Sequence, residues 1–255
     1  MNCFYLQPGV FFIIGIIAGS FMHLCAYRLP RGESILFPPS HCPHCISRIK
    51  AIDLVPLLSY IWLKGKCRFC DARISISHPL IELLTGLLFV IAYLRFGLSA
   101  MLVKALLLIS LLMIIAMIDL KHYVIPNKLT ALVLLLGLAF VLFTGEPTIL
   151  SALTGFGAAF LFLLFLALVS RGGMGGGDIK LAAAIGLCLG WPDGITAVLL
   201  GCLLAGLVGL LLLLLRIKNR KDAIPLGPFL AAGTLIMFYG GTGISSWYLE
   251  NILLY

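Results

Sequence analysis

Leu106-Leu-Leu-Ile-Ser110-Leu-Leu-Met-Ile-Ile115-Ala-Met-Ile-Asp119-Leu-Lys121 is an apolar run closed by a carboxylate and a lysine. With its lead-in from Met101, it has the roughly 20 mostly apolar residues that a helix needs to cross a bilayer. Seven further runs of this character flank it, at about 8–26, 79–96, 129–145, 148–170, 179–192, 194–215 and 225–242. The run at 179–192 is short and interrupted by Gly186 and Gly190. The expected fold is an all-α polytopic membrane protein of about eight transmembrane helices, with one polar loop, Tyr27 to His78, long enough to be a small domain.

Composition supports this. Hydrophobic residues make up 62% of the 255 and charged residues 11%, against about 25% charged in soluble domains. Mean hydropathy is +1.14. The formal charge of +8 raises the question of nucleic acid, but basic patches interleaved with aromatics are absent, so nucleic acid is excluded as a partner. Positive charge collecting on the cytoplasmic side explains the excess more simply. Under eight spans, Arg28, Arg31, Arg48, Lys50, Lys64, Lys66, Arg68, Arg73, Lys121, Lys128, Arg171, Lys180, Arg216, Lys218, Arg220 and Lys221 fall on one side. Only Arg95 and Lys104 fall on the other, which together account for all 18 basic residues. That partition puts the 27–78 loop in the cytoplasm and both termini outside. Met1 to Pro8 carries no Lys or Arg. A secretory signal would begin with a basic stretch, so the first run is expected to be a retained helix.

The 27–78 loop holds Cys42-Pro-His-Cys45 and Cys67-Arg-Phe-Cys70, two C-x-x-C turns separated by 21 residues. Two such turns close a tetrahedral thiolate site, which points to Zn2+. A cytoplasmic position argues against disulfides. Four thiolates leave no open coordination position, so the metal is structural and supplies folding free energy to a loop with little core of its own. His41 and His44 read as exposed turn residues beside this site. Cys3, Cys25, Cys188 and Cys202, in or beside apolar runs, read as packing residues.

Ionisable groups at membrane depth are costly and mark function. By the topology above, Asp119 and Asp178 both sit at cytoplasmic helix ends. Two close carboxylates share a proton, so one can act as a general base on water and the other as a general acid toward a peptide carbonyl. Gly175, Gly176 and Gly177 precede Asp178, and a backbone without Cβ atoms lets a peptide approach closely or adopts positive φ. A phosphate loop would need a Gly-Lys-Ser/Thr ending that is missing here. The plain alternatives are a helix cap at Asp178 and a polar helix end at Asp119. A transporter using both acids in an ion pathway, or a non-catalytic assembly factor docked through the cysteine loop, also remains open on residue chemistry alone.

Together these blocks resemble the prepilin peptidase family, the type IV leader peptidases. Gly19-Ser-Phe21 with Tyr27-Arg-Leu-Pro30 is similar to its opening motif. The cysteine pairs, Pro56-Leu-Leu-Ser59 and Pro79-Leu-Ile-Glu82-Leu follow in order. Asp119 with Ile125-Pro126-Asn127 resembles the first catalytic block, and Gly175-Gly-Gly-Asp178-Ile-Lys180 resembles the G-x-G-D block of intramembrane aspartyl proteases. Ile224-Pro-Leu-Gly-Pro-Phe229 resembles the closing motif.

The resemblance implies an aspartic endopeptidase of the bacterial inner membrane with Asp119 and Asp178 catalytic. It would cut the basic leader of prepilins and pseudopilins after Gly, beside membrane lipid. It also implies N-methylation of the new terminus by S-adenosylmethionine; Glu82 matches a family glutamate, and one reading gives it a role in that methylation. Its plainer role there is a favourable interaction with a helix N-terminus. Lys180 either biases the neighbouring carboxylate or anchors at the interface. The family usually has Asn where His23 stands, a departure that bears on methylation and not on cleavage. The expected division is 1–26 as first helix, 27–78 as the metal-binding, methyltransferase-associated domain, and 79–255 as the protease core.

Overall fold

Each apolar run forms a helix. The computed structural model describes residues 3–170, 174–219 and 222–248, with the side chains of 3–6 and 242–248 left undescribed. Arg171, Gly172, Gly173, Arg220, Lys221 and the Cys3 side chain therefore lie outside the described residues. The long helices are α1 (Cys3–Arg28), α3 (Ser77–Phe96), α4 (Ala100–His122), α5 (Asn127–Thr144), α6 (Ile149–Val169), α7 (Gly176–Leu189), α8 (Asp193–Leu214) and α9 (Gly227–Tyr248), with a short α2 (Leu58–Trp62) in the polar loop. No strand forms among the described residues.

The expected count of about eight spans needs correction. Among the described residues six helices, α1, α3, α4, α5, α6 and α8, are long and apolar enough to cross a membrane. The α7 helix has 14 residues, about 21 Å at 1.5 Å per residue, against a hydrocarbon core of about 30 Å. Every residue from Leu181 to Cys188 is buried. Its apolar character therefore serves protein packing rather than lipid, a distinction that hydropathy does not make. The described apolar part of α9, Gly227–Gly241, is likewise short.

Contacts divide the chain into two compact units, Met1–Ser110 and Leu111–Tyr255, with the boundary inside α4. In the first unit, α1 and α3 form an antiparallel pair. Gly15 and Gly19 lie four apart on one face of α1. A Cβ on Gly15 would come 2.7 Å from the Gly86 Cα, and one on Gly19 would come 2.9 Å from the Glu82 Cα. Small residues at this spacing let backbones approach where lipid offers no hydrophobic drive between helices.

The second unit is built around α7. It runs antiparallel to α6 and α8, and the three meet at glycines: a Cβ on Gly186 would collide with the Gly155 carbonyl, and one on Gly194 would lie 2.7 Å from the Gly186 Cα. Gly186, an interruption by composition, is thus a packing position. The α5 helix packs along α7 in the same direction, with Gly137 against Cys188, and α9 returns along α8 with Gly233 against the Ala197 carbonyl. These directions bring the end of α4 and the starts of α5, α7 and α9 to one end of the unit.

Candidate active site

In the first unit, the two C-x-x-C turns are built alike. Cys42 N–H donates to the Ser47 carbonyl at 3.0 Å and Cys67 N–H to the Ala72 carbonyl at 2.8 Å. A β-bridge closes each turn, His41 to Arg48 and Lys66 to Arg73. The residue after the second cysteine takes positive φ in both, Ile46 at 60° and Asp71 at 53°. This doubled turn brings all four sulfurs within 4.8 Å of one another. Cys42 and Cys70 are 3.8 Å apart and Cys45 and Cys67 4.0 Å, close to the roughly 3.8 Å edge of a tetrahedron with metal–sulfur bonds of about 2.3 Å. A disulfide needs about 2.05 Å. The cluster is thus shaped to hold a metal ion.

Two of the four thiols have a lowered pKa and one a raised pKa. The Ser47 hydroxyl and amide hold the Cys45 thiol down to about 6. The amides of Phe69 and Cys70 hold Cys67 below the usual thiol range. Cys70 rises to about 12, against a lowering hydrogen bond from Ala72, through burial and its sulfur neighbours. Thiolates are what a metal needs. Arg68 braces the segment between the turns, donating from Nε and Nη2 to Asp53 at 2.8 and 2.5 Å. His41 and His44 are exposed, as expected, and Cys25 is buried.

In the second unit, Asp119 lies one turn before the end of α4, not at its end, and is 4% exposed. Its Oδ2 accepts the Gly227 N–H at 2.7 Å. A Cβ at Gly227 would sit 2.9 Å from that same oxygen, so any other first residue of α9 would require the carboxylate to shift. Asp178 lies in the first turn of α7, where its Oδ2 accepts the Gly175 N–H at 3.2 Å. It is half-buried, and the Asp119 charge acts on it. The two acids are within electrostatic reach of each other.

The glycines before Asp178 work by space rather than by positive φ, which none of Gly175, Gly176 and Gly177 adopts. A Cβ on Gly177 would come 3.0 Å from Ile125 Cβ and 3.3 Å from its carbonyl oxygen, while Gly176 faces open space. The Ile125-Pro-Asn127 turn and the start of α7 are thus in direct contact. Lys180 Nζ donates to Asn127 Oδ1 at 2.9 Å across that contact. Lys218 ties the connection into α9 to the turn after α4, donating to the Ala223 carbonyl at 2.6 Å and reaching the Tyr123 hydroxyl at 3.4 Å.

Glu82 belongs to the first unit. It lies in the second turn of α3, past the first turn in which helix-terminus electrostatics act, and accepts the Leu57 N–H at 2.7 Å. His23 is buried and stacks on His78 with centroids 3.6 Å apart.

Three groups escape the sequence reading: the Gly227 amide, the Asn127 side chain, and Cys202, a half-buried thiol on which the Asp178 charge acts. The motif around Gly227 and the one ending in Asn127 were visible, but neither states what its backbone or amide touches.

Comparison with known proteins agrees with this geometry. Residues 13–96 match the family described as Bacterial Peptidase A24 N-terminal domain, and residues 106–210 match the Type IV leader peptidase family. The chain is 37% identical over 244 residues to a Prepilin leader peptidase/N-methyltransferase of Bacillus subtilis (strain 168), covering 96% of this chain and 98% of the relative. Relatives of the same name from Aeromonas hydrophila and Legionella pneumophila are 35% and 34% identical. They cover 98% and 96% of this chain, and 96% and 94% of their own lengths. No solved structure matches the chain significantly. The chain belongs to the prepilin leader peptidase/N-methyltransferase family.

Proposed function

We propose that the chain is a bifunctional enzyme, a prepilin leader peptidase that N-methylates the terminus it creates. The observation that carries the peptidase half is the convergence of the segment after Asp119 with the first turn of α7, which bears Asp178, where Gly177 packs on Ile125, each acid having an oxygen held by a backbone N–H.

With one proton shared between them, the ionised carboxylate takes a proton from water as the oxygen attacks the carbonyl carbon of the residue before the cut, a glycine in the substrate class proposed. The protonated carboxyl gives its proton to the carbonyl oxygen. Collapse of the resulting diol breaks the C–N bond, and the leaving nitrogen takes a proton from the pair. The products are the leader carboxylate and a new terminal amine. Gly176, which faces open space, leaves room near Asp178 for the extended segment of a prepilin or pseudopilin, while Gly177 seats α7 on Ile125 and Gly175 lies against the Asp178 carboxylate. Lys180, held by Asn127, fixes the start of α7. In the second reaction S-adenosylmethionine, when bound, would supply the methyl group for the new terminal amine.

Cys42, Cys45, Cys67 and Cys70 would hold Zn2+ as a structural ion that stiffens the loop. The division proposed is residues 1–26 as first helix, 27–78 as the metal-binding domain serving methylation, and 79–255 as the protease core. The 16-to-2 division of the basic residues counts α7 as a crossing although it is too short to cross by length alone; on that count the active site and cysteine loop lie on the cytoplasmic face of a bacterial inner membrane. Nothing in the comparisons favours a transporter or a non-catalytic assembly factor.

The test is incubation of the purified protein in detergent with a synthetic prepilin N-terminus, with and without S-adenosylmethionine, read by mass. Loss of the leader, and one added methyl only when the donor is present, is the expected result. An intact peptide under both conditions would refute it.

A further inference from the structure

Between the two cysteine turns the backbone does something unusual for a leucine. Leu57 has φ 61° and ψ −53°, and the N–H of Leu58 donates to the carbonyl of Pro56 at 2.7 Å. A hydrogen bond spanning two residues around a positive φ is a γ-turn of the rare, strained form. A residue stays in such a conformation only where its surroundings over-determine it, and such places cluster at functional sites.

Glu82 supplies that determination. Its carboxylate, 7% exposed, accepts the N–H of Leu57, the central residue of the turn, at 2.7 Å. The backbone that carries Glu82 is itself packed closely on α1, because Gly19 lies against the Glu82 Cα with no room for a Cβ. The turn leads directly into α2. After α2 the chain reaches the second cysteine turn through a positive-φ corner at Lys64 and Gly65. Three of the sequence blocks, around Gly19, Leu57 and Glu82, therefore converge on one contact that decides where the cysteine loop leaves α3.

We propose that Glu82 is a positioning residue for methyl transfer: its carboxylate clamps the γ-turn at Leu57 and so sets the metal-bearing loop on α3, without touching the reacting atoms. This rests on the methyltransferase reading given above.

The clamp makes a prediction that a catalytic or ligand-binding carboxylate does not share. Glutamine keeps an oxygen that can accept the Leu57 N–H, and glycine at position 57 adopts positive φ without strain. The experiment uses the full-length, zinc-loaded protein with a leader-free peptide and S-adenosylmethionine, and measures kcat and KM for methylation. Cleavage of the uncut peptide by the same preparation reports folding. Glu82→Ala is expected to lose methylation by about 10–100-fold, the scale for removing a group that orients a metal site, with cleavage retained. Glu82→Gln should stay within about threefold of wild type, the single hydrogen bond being kept. Leu57→Gly should shrink the loss caused by Glu82→Ala.

Glu82→Gln as damaged as Glu82→Ala, with no relief from Leu57→Gly, would overturn the clamp. So would methylation unchanged in Glu82→Ala, or cleavage lost in step with methylation. Wild-type protein that cleaves but never methylates would instead remove the reading beneath the inference.

Discussion

The cysteine site of the first unit and the acidic site of the second are built on opposite plans. The cysteine site is a loop device. Two copies of one tight turn, each with its own bridge and positive-φ corner, bring four identical ligands together where a metal ion could be held, and such an ion would supply the cohesion that a loop without much core lacks. The acidic site is a helix device. Its two carboxylates lie 59 positions apart in sequence on α4 and α7 and are oriented by backbone amides of Gly227 and Gly175. The difference teaches that local repetition encodes one site and helix packing the other, so the two should fail separately and under different insults.

The strongest way to sharpen the contrast is Asp119→Asn or Asp178→Asn. Either should cut cleavage by about 10²–10⁴-fold, the usual weight of a general acid or base, while methylation of a leader-free peptide continues. Next comes Gly227→Ala. Its Cβ would meet the Asp119 carboxylate at 2.9 Å, and a displaced catalytic group costs up to about 100-fold. Cleavage kinetics should show the loss with the metal content unaltered. Cys42→Ser, or chelation, acts on the other site. Metal analysis should show the ion lost and methylation reduced by about 10–100-fold, with cleavage suffering less.

The smallest effect concerns Arg68→Ala. Arg68 holds the Asp53 carboxyl below its ordinary value. A depressed carboxylate stabilises the folded loop above the unfolded value near 3.9 and loses that contribution as pH falls through the lower folded value. Thermal melts at neutral pH should therefore show the variant slightly less stable, with the gap closing below about pH 4. A gap that widens in acid would show that another group carries the effect.

Much of this was readable in the residues, and the failures have physical causes. Every apolar run became a helix, because length and hydropathy set what can face lipid. The same criterion over-counted spans at α7, since a helix wrapped in protein and one wrapped in lipid select the same side chains. Gly190 does end α7, with φ 76°, whereas Gly186 looked like a break because composition does not reveal that Gly155 and Gly194 lie against it. The four cysteines declared their site through spacing alone. The acidic site declared its carboxylates but not the donors that hold them, since a backbone N–H has no sequence signature. Leu57 illustrates the limit best. Nothing in Pro56-Leu-Leu-Ser59 announces a strained turn, and only the buried Glu82 opposite explains why a leucine adopts it.

The central claim, that cleavage and methylation reside in separately built sites, is tested most directly by one mass measurement on a synthetic prepilin N-terminus with S-adenosylmethionine. Wild-type, Asp178→Asn and metal-stripped protein would be run side by side, each also given the leader-free peptide. The account predicts a cut and methylated product from wild type, and an uncut peptide but methylated leader-free peptide from Asp178→Asn. From stripped protein it predicts a cut product lacking the methyl. Full cleavage by Asp178→Asn, or equal and immediate loss of both activities on stripping the metal, would contradict it.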